Sequence, residues 1–223
     1  MNTTVLIDFS LLTPHIPYML EGMGITLQFT VLSVFFGFIL GTILTLCKIS
    51  NSKFLQVFAA FYTSIFRGTP LLVQLLLIYY AIPQLTDYQI PALFAGVLAF
   101  SLNSAAYLSE TMRAGILAVD KGQWEAAKAL GVPYSRMMKD IIFPQAIRNI
   151  LPAIMNEFIT LLKDSSLVSV IGVAEILRRA DVVKGQLYIY FEPLVFAGLQ
   201  YYILVMILTL LSTWLERRLR RNG

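Results

Sequence analysis

The chain has 223 residues, 57% of them hydrophobic and 13% charged, with a mean hydropathy of +0.72 and a formal net charge of +4. A soluble domain of this length has too little interior to hide that much apolar surface, so the composition excludes an ordinary water-soluble enzyme and indicates a polytopic membrane protein. The basic residues lie between apolar runs and at the C-terminus, which speaks against a nucleic-acid surface.

The segment before the first apolar run carries Pro14, Pro17 and Glu21 and no Lys or Arg, so it does not read as a signal-peptide n-region. Roughly five spans follow, each long enough for the ~30 Å hydrocarbon layer. The first covers residues 23–47, with Gly37 and Gly41 at the small-xxx-small spacing that suits close helix contact. Cys47 at its end has no intrachain partner and reads as a small buried hydrophobe. The second span covers residues 54–82. Its apolar halves are each too short to cross alone, so Arg67, Gly68, Thr69 and Pro70 place a charge and a kink within or near the membrane. The third span covers 92–112, the fourth 146–162 with Pro152 inside, and the fifth 194–215 with Trp214 as an interfacial anchor.

Lys and Arg set the orientation. With the N-terminus outside, the inner segments hold Lys48 and Lys53, then Arg113, Lys121, Lys128, Arg136, Lys139 and Arg148, and finally Arg217, Arg218, Arg220 and Arg221. The outer segments hold Lys163, Arg178, Arg179 and Lys184, partly balanced by Asp164, Glu175 and Asp181. An outside N-terminus and a cytoplasmic C-terminus are favoured. The expected fold is one all-α transmembrane domain over residues 1–223 with a helical loop on its cytoplasmic side.

That loop, residues 120–144, reads as two short charged helices. Asp120 caps the first, with Gln123 reaching back as in a capping box. Gly131 ends it in a left-handed conformation, and Pro133 suits the first turn of the second, which Phe143-Pro144 closes. Ala126 and Ala127 would let another surface come close, and Met137 and Met138 would fill an uneven groove. Three readings stand side by side: helices lying on lipid, a cap packed on the bundle, or a docking knob for a cytoplasmic partner.

Glu125-Ala126-Ala127, Gly131 after three residues, and Ile141-x-Phe143-Pro144 after nine more resemble the EAA loop of ABC importer permeases, with Phe143 where that family usually has Leu. Phe66–Gln74, Leu102–Glu110 continuing to Arg113–Ile116, and Asn156-Glu157-Phe158 leading into Lys163–Leu167 look like signatures of the polar amino acid permeases. The resemblance spans nearly the whole chain. It implies a type I importer fold with five helices per subunit in the bacterial cytoplasmic membrane. Its implied partners are a dimer of ATP-binding cassette ATPases, an extracytoplasmic substrate-binding protein, and a second permease chain, identical or paralogous. Glu125, Ala126, Ala127, Gly131 and Pro144 would then couple the chain to the ATPase.

The chemistry agrees with transport. No G-x-x-x-x-G-K-[ST] loop is present, so ATP and Mg are expected on the partner and no cofactor or metal on this chain. His15 is the only histidine, leaving no metal cluster and no convincing Ser–His pair for a membrane enzyme. A channel would show a ring or stripe of like charge. Instead Arg67, Gln74, Asn103, Glu110, Asn156, Glu157, Lys163 and Asp164 are isolated polar positions, costly at membrane depth and therefore candidates for solute contact or internal pairing. Glu110 and Arg113 read as a structural pair; Arg67, Lys163 and Asp164 read as gating or structural charges. Glu157 has no basic residue three or four positions away, so its partner comes from another helix or from the solute. Solute contact is assigned to Glu157 and Asn103, with Asn156 and Gln74 beside them. A carboxylate at Glu157 tilts the solute toward basic amino acids (arginine, histidine or lysine), with glutamine or glutamate as the alternative.

Overall fold

The computed structural model describes residues 7–221, with side chains through Arg218. The side chains of Arg220 and Arg221, counted above among the inner basic residues, lie outside the described ones. A 3-10 turn over Phe9–His15 leads into α1 (Ile16–Ile49). Then come α2 (Lys53–Gly68), α3 (Leu71–Thr86), α4 (Ala92–Leu117), the short α5 (Lys121–Ala129), α6 (Phe143–Asp164), α7 (Ile176–Leu187) and α8 (Phe191–Arg221). The regular structure of the described residues is all helical.

Three of these helical stretches, Phe9–Ile49, Ala92–Leu117 and Phe191–Arg218, are long and apolar enough to cross a membrane, and the pair α2–α3 makes a fourth if it crosses as one unit. The remaining expected span, residues 146–162, lies in α6. Arg148, Glu157, Lys163 and Asp164 deny α6 a uniformly apolar surface, so it can cross lipid only with its polar face turned into the bundle.

Where the sequence suggests a kink in the second span, the structure has a break: α2 and α3 meet at 101°. Thr69 is extended at φ −121, ψ 146, as a residue before proline is obliged to be, and Pro70 has no N–H with which to continue α2. A second proline effect recurs twice. The π turns Leu77–Ala81 and Met137–Ile142 each stand just before a proline, Pro83 and Pro144. A proline ring crowds the carbonyl four residues back, and a widened turn relieves that clash. For this reason Phe143-Pro144 does not close the second loop helix. The chain runs through it into α6.

The framework is α1 laid along α4. A Cβ added at Gly37 would stand 2.9 Å from Ser104 Cβ, and one at Gly41 3.0 Å from Leu108 Cβ, so the two backbones touch where the small-residue spacing places them. Phe29 of α1 and Phe100 of α4 meet edge to face at 4.8 Å, in a core shared with Leu75 of α3 and Leu161 of α6. At the opposite end from α5, α7 is fastened twice. Glu175 is fully buried and caps α7 by accepting from the amides of Leu177 and Arg178 at 2.9 and 2.7 Å and from the Tyr201 hydroxyl of α8. Arg179 donates to Glu21 and to the Tyr18 carbonyl, both at 2.6 Å, and its guanidinium lies 4.5 Å over the Tyr18 ring. The outward faces of α1 and α8 carry exposed Phe35, Ile43, Tyr202, Leu210 and Trp214, a surface suited to lipid.

Gly37→Leu forces the α1–α4 contact apart and is expected to destabilise the protein by about 1–3 kcal/mol, the usual cost of overpacking. Gly24→Ala, with open space around the added Cβ, is expected to be silent. Thermal unfolding of the purified protein in detergent separates the two.

Candidate functional site

The break between α2 and α3 leaves the last carbonyls of α2 without helical partners, and in an apolar interior such groups must find donors. Three do. The Thr69 hydroxyl donates to the Ile65 carbonyl at 2.8 Å. Gln74 Nε2 donates to the carbonyls of Phe66 (2.9 Å) and Thr69 (3.1 Å) and to Thr69 Oγ1 (2.8 Å). Asn103 Nδ2 of α4 donates to the same Phe66 carbonyl at 3.1 Å and to Gln74 Oε1 at 3.0 Å. Gln74 and Asn103, both 7% exposed, thus form a latch that ties the break to α4. Of the four residues assigned to solute contact, these two have their amide groups engaged in holding backbone.

Beside the latch is a cavity of about 640 Å³. Residues 67–71 of the break form one wall, Asn103 and Tyr107 of α4 another, and Glu157, Thr160, Leu161 and Asp164 of α6 the third. The α6 residues fall at i, i+3, i+4 and i+7, one stripe of a helix, and Asn103 and Tyr107 are one turn apart. The wall therefore carries one cation, Arg67, and two carboxylates, Glu157 and Asp164. Arg67 has its guanidinium 5.4 Å from the centre of the Tyr107 ring. Among the described residues no cation lies within 4.0 Å of the Glu157 carboxylate. Such a group can answer a cationic solute.

The other sequence-selected residues fall elsewhere. Asn156 is exposed and Lys163 is exposed, and neither lines the cavity. Glu110 bridges Arg113 (3.0 Å) and, unforeseen, Lys48 of α1 (2.7 Å). Tyr107 and Thr160 were also missed, although their spacing from Asn103 and Glu157 on helical stripes was available to find them.

The loop 120–144 is a separate feature. Asp120 Oδ1 caps α5 by accepting from Gly122 N at 2.8 Å, but Gln123 does not reach back to complete a capping box; its Oε1 accepts from Gln145 Nε2 at 3.4 Å. Gly131 takes φ +67, the left-handed stop expected of it. Ala127 and Met137 do not wait for an outside partner: both are buried against Ile116, Ile142 and Ile150 of the same chain. The opposite side, with Glu125, Ala126, Gly131, Pro144 and the 82% exposed Leu130, is open. The hairpin is a cap on the bundle with a free outer face.

Residues 16–221 match the family model described as a binding-protein-dependent transport system inner membrane component. The chain is 55% identical over 216 residues to the "Arginine transport system permease protein ArtQ" of Bacillus subtilis (strain 168), covering 97% of this chain and 99% of that one. It is 49% identical over 214 residues to the "Putative glutamine transport system permease protein GlnP" of Rickettsia bellii (strain RML369-C), covering 96% and 97%. A solved structure described as an amino acid ABC transporter with histidines superposes with a TM-score of 0.93 at 44% identity, covering 96% of this chain and all of that one. The MetNI methionine ABC transporter in an inward-facing form shares the fold, with a TM-score of 0.78 at 20% identity over 93% of this chain and 98% of that one.

Gln74→Leu leaves the Thr69 carbonyl unpaired and Asn103→Leu leaves Gln74 Oε1 unpaired, so each is expected to cost about 1–3 kcal/mol. The double variant is expected to lose less than the sum, since the Asn103–Gln74 hydrogen bond is lost in either single variant and is counted twice in that sum. Unfolding of the four proteins in a double-mutant cycle measures the coupling; strict additivity would reject the latch.

Proposed function

The chain belongs to the binding-protein-dependent transport system inner membrane components, the permease subunits of ABC importers, and from that premise we propose that it carries amino acids, basic ones in particular, across the cytoplasmic membrane. In this family ATP is hydrolysed on a separate ATPase subunit. The observation that supports a basic solute is the charge of the cavity wall, one guanidinium facing two carboxylates. Arginine or lysine presents the complementary set: an α-carboxylate for Arg67, and an α-ammonium and a cationic side chain for Glu157 and Asp164. Glutamine would leave one of the two carboxylates unanswered. The relative named for glutamine keeps that solute as the second reading.

The mechanism follows from the parts. An extracytoplasmic binding protein delivers the amino acid to a pair of permease chains. Two ATPase subunits grip the outer faces of the α5 hairpins at Glu125, Ala126 and Gly131, and their closure on ATP swings the bundles between inward- and outward-open forms. The buried side of the hairpin, Ala127, Met137 and Ile142, makes it rigid enough to pass that motion to α4 and α6. On this reading the chain crosses five times with its N-terminus outside and its C-terminus inside, and the hairpin lies in the cytoplasm with the ATPase.

Transport is tested in liposomes holding the permease with its ATPase and supplied with the binding protein. Arginine uptake is expected to need both ATP and the binding protein. Glu157→Gln is expected to lower it roughly tenfold or more, in line with the ~1.5–3 kcal/mol of a hydrogen bond to a charged group. Flux without ATP would reject an importer. Equal loss, or no loss, of arginine and glutamine uptake would reject a charge-reading role for Glu157.

A further inference from the structure

Arg67 lines two cavities. The second, about 530 Å³, lies toward the α5 end of the bundle, between the last turn of α1, one stripe of α2 from Gln56 to Arg67 and the last turns of α4. Its wall carries Lys48, Arg67 and Arg113 against one carboxylate, Glu110. Both oxygens of that carboxylate are already engaged: Oε1 accepts from Lys48 Nζ at 2.7 Å, and Oε2 from Arg113 Nε at 3.1 Å and Nη2 at 3.0 Å. Lys48 has a side chain only 6% exposed. Its ammonium donates to Ser109 Oγ at 2.8 Å and to Glu110, which leaves the third of its three donors for the cavity. Among the described residues, the Arg67 guanidinium is held by the Tyr107 ring and by no ion pair. Gln56 donates its Nε2 to the Ser50 carbonyl at 2.7 Å, leaving its amide oxygen as an acceptor, and the Ser64 hydroxyl lies on the same wall.

A concave wall with two positive charges in excess and free donors calls for an anion. We propose that this second cavity is a station for the α-carboxylate of an amino acid passing through the protein. Lys48, Arg67 and Arg113 take the carboxylate, while Gln56 and Ser64 accept from the α-ammonium. The proposal rests on the reading of the first cavity as an amino acid site, because Arg67, common to both walls, is what joins the two. It also gives one face of α4 a single purpose. Asn103, Tyr107 and Glu110 follow each other at helical spacing from the first cavity to the second. Since it reads only the amino acid backbone, the station does not discriminate between side chains. It also binds weakly, because Glu110 competes for the same cations.

The test is equilibrium binding of labelled L-arginine and L-glutamine to the permease–ATPase complex in phosphatidylcholine nanodiscs, up to millimolar concentration. Both amino acids are expected to show a weak phase. Ser64→Phe, which fills the cavity from an exposed position and keeps the Lys48–Glu110–Arg113 cluster intact, is expected to abolish that phase. Arg113→Gln is expected to weaken it at least fivefold. Agmatine, arginine without its carboxylate, is expected not to displace it. Glu157→Gln is expected to change only a tighter phase; if it changes no phase while Ser64→Phe still abolishes the weak one, the first-cavity reading fails and this one stands. The proposal is overturned if no weak phase exists, if it survives Ser64→Phe and Arg113→Gln unaltered, or if agmatine displaces it. It is equally overturned if the weak phase vanishes in phosphatidylglycerol nanodiscs, which would assign the cavity to a lipid phosphate.

Discussion

A backbone carbonyl with no donor is costly anywhere out of water, and most of all in hydrocarbon. The turn at Gly68-Thr69-Pro70 creates several such carbonyls at once, in the middle of a chain segment whose two halves are too short to cross lipid separately. The Thr69 hydroxyl and the amides of Gln74 and Asn103 answer them. Everything near the first cavity follows from that repair. Asn103 belongs to α4, so the repair pins the break to the most buried helix of the bundle. Arg67, two residues before Thr69, is thereby set against Tyr107, one turn along the same helix. The cavity exists because a helix turned through 101° cannot fill the space that a straight one would occupy.

The remaining helices make that arrangement possible. α1 and α4 pack backbone to backbone through Gly37 and Gly41, which frees other faces of α4 for polar work. Glu157 and Asp164 share a stripe of α6 that lines the cavity, with Leu161 anchoring the helix in the apolar core. The α5 hairpin uses the same economy. One side is consumed by packing on α4 and α6 and the other is left bare.

Composition and span length were enough to read an all-helical membrane bundle, because lipid leaves few alternatives. The break was legible from Pro70 and the shortness of its flanks, the close α1–α4 contact from two glycines four apart, and the hairpin stop from Gly131. What the sequence hid was which polar groups pair. Gln74 and Asn103 read as solute ligands because each is isolated in its own helix; their meeting across 29 residues shows that their amides also hold backbone, while Asn103 still lines the cavity. Lys48, at the end of α1, gave no local sign of its partnership with Glu110, 62 residues away. Met137 and Ala127 looked like a surface for a partner, since periodicity shows that a face is apolar but not what covers it. The continuation through Pro144 was hidden because a π turn leaves no mark in composition.

The most direct measurement asks whether the polar stripe of α6 faces water or lipid. With the native half-buried thiol removed (Cys47→Ala), single cysteines are placed by Thr160→Cys on the cavity wall and Leu210→Cys on the exposed face of α8, and the assembled protein is treated with a membrane-impermeant thiol reagent. The thiol on α6 should react, be shielded by the transported amino acid, and react again once it is washed out, while the thiol on α8 stays inert. An unreactive thiol on α6, or one that the amino acid leaves untouched, would mean that Glu157 and Asp164 line no path through the membrane.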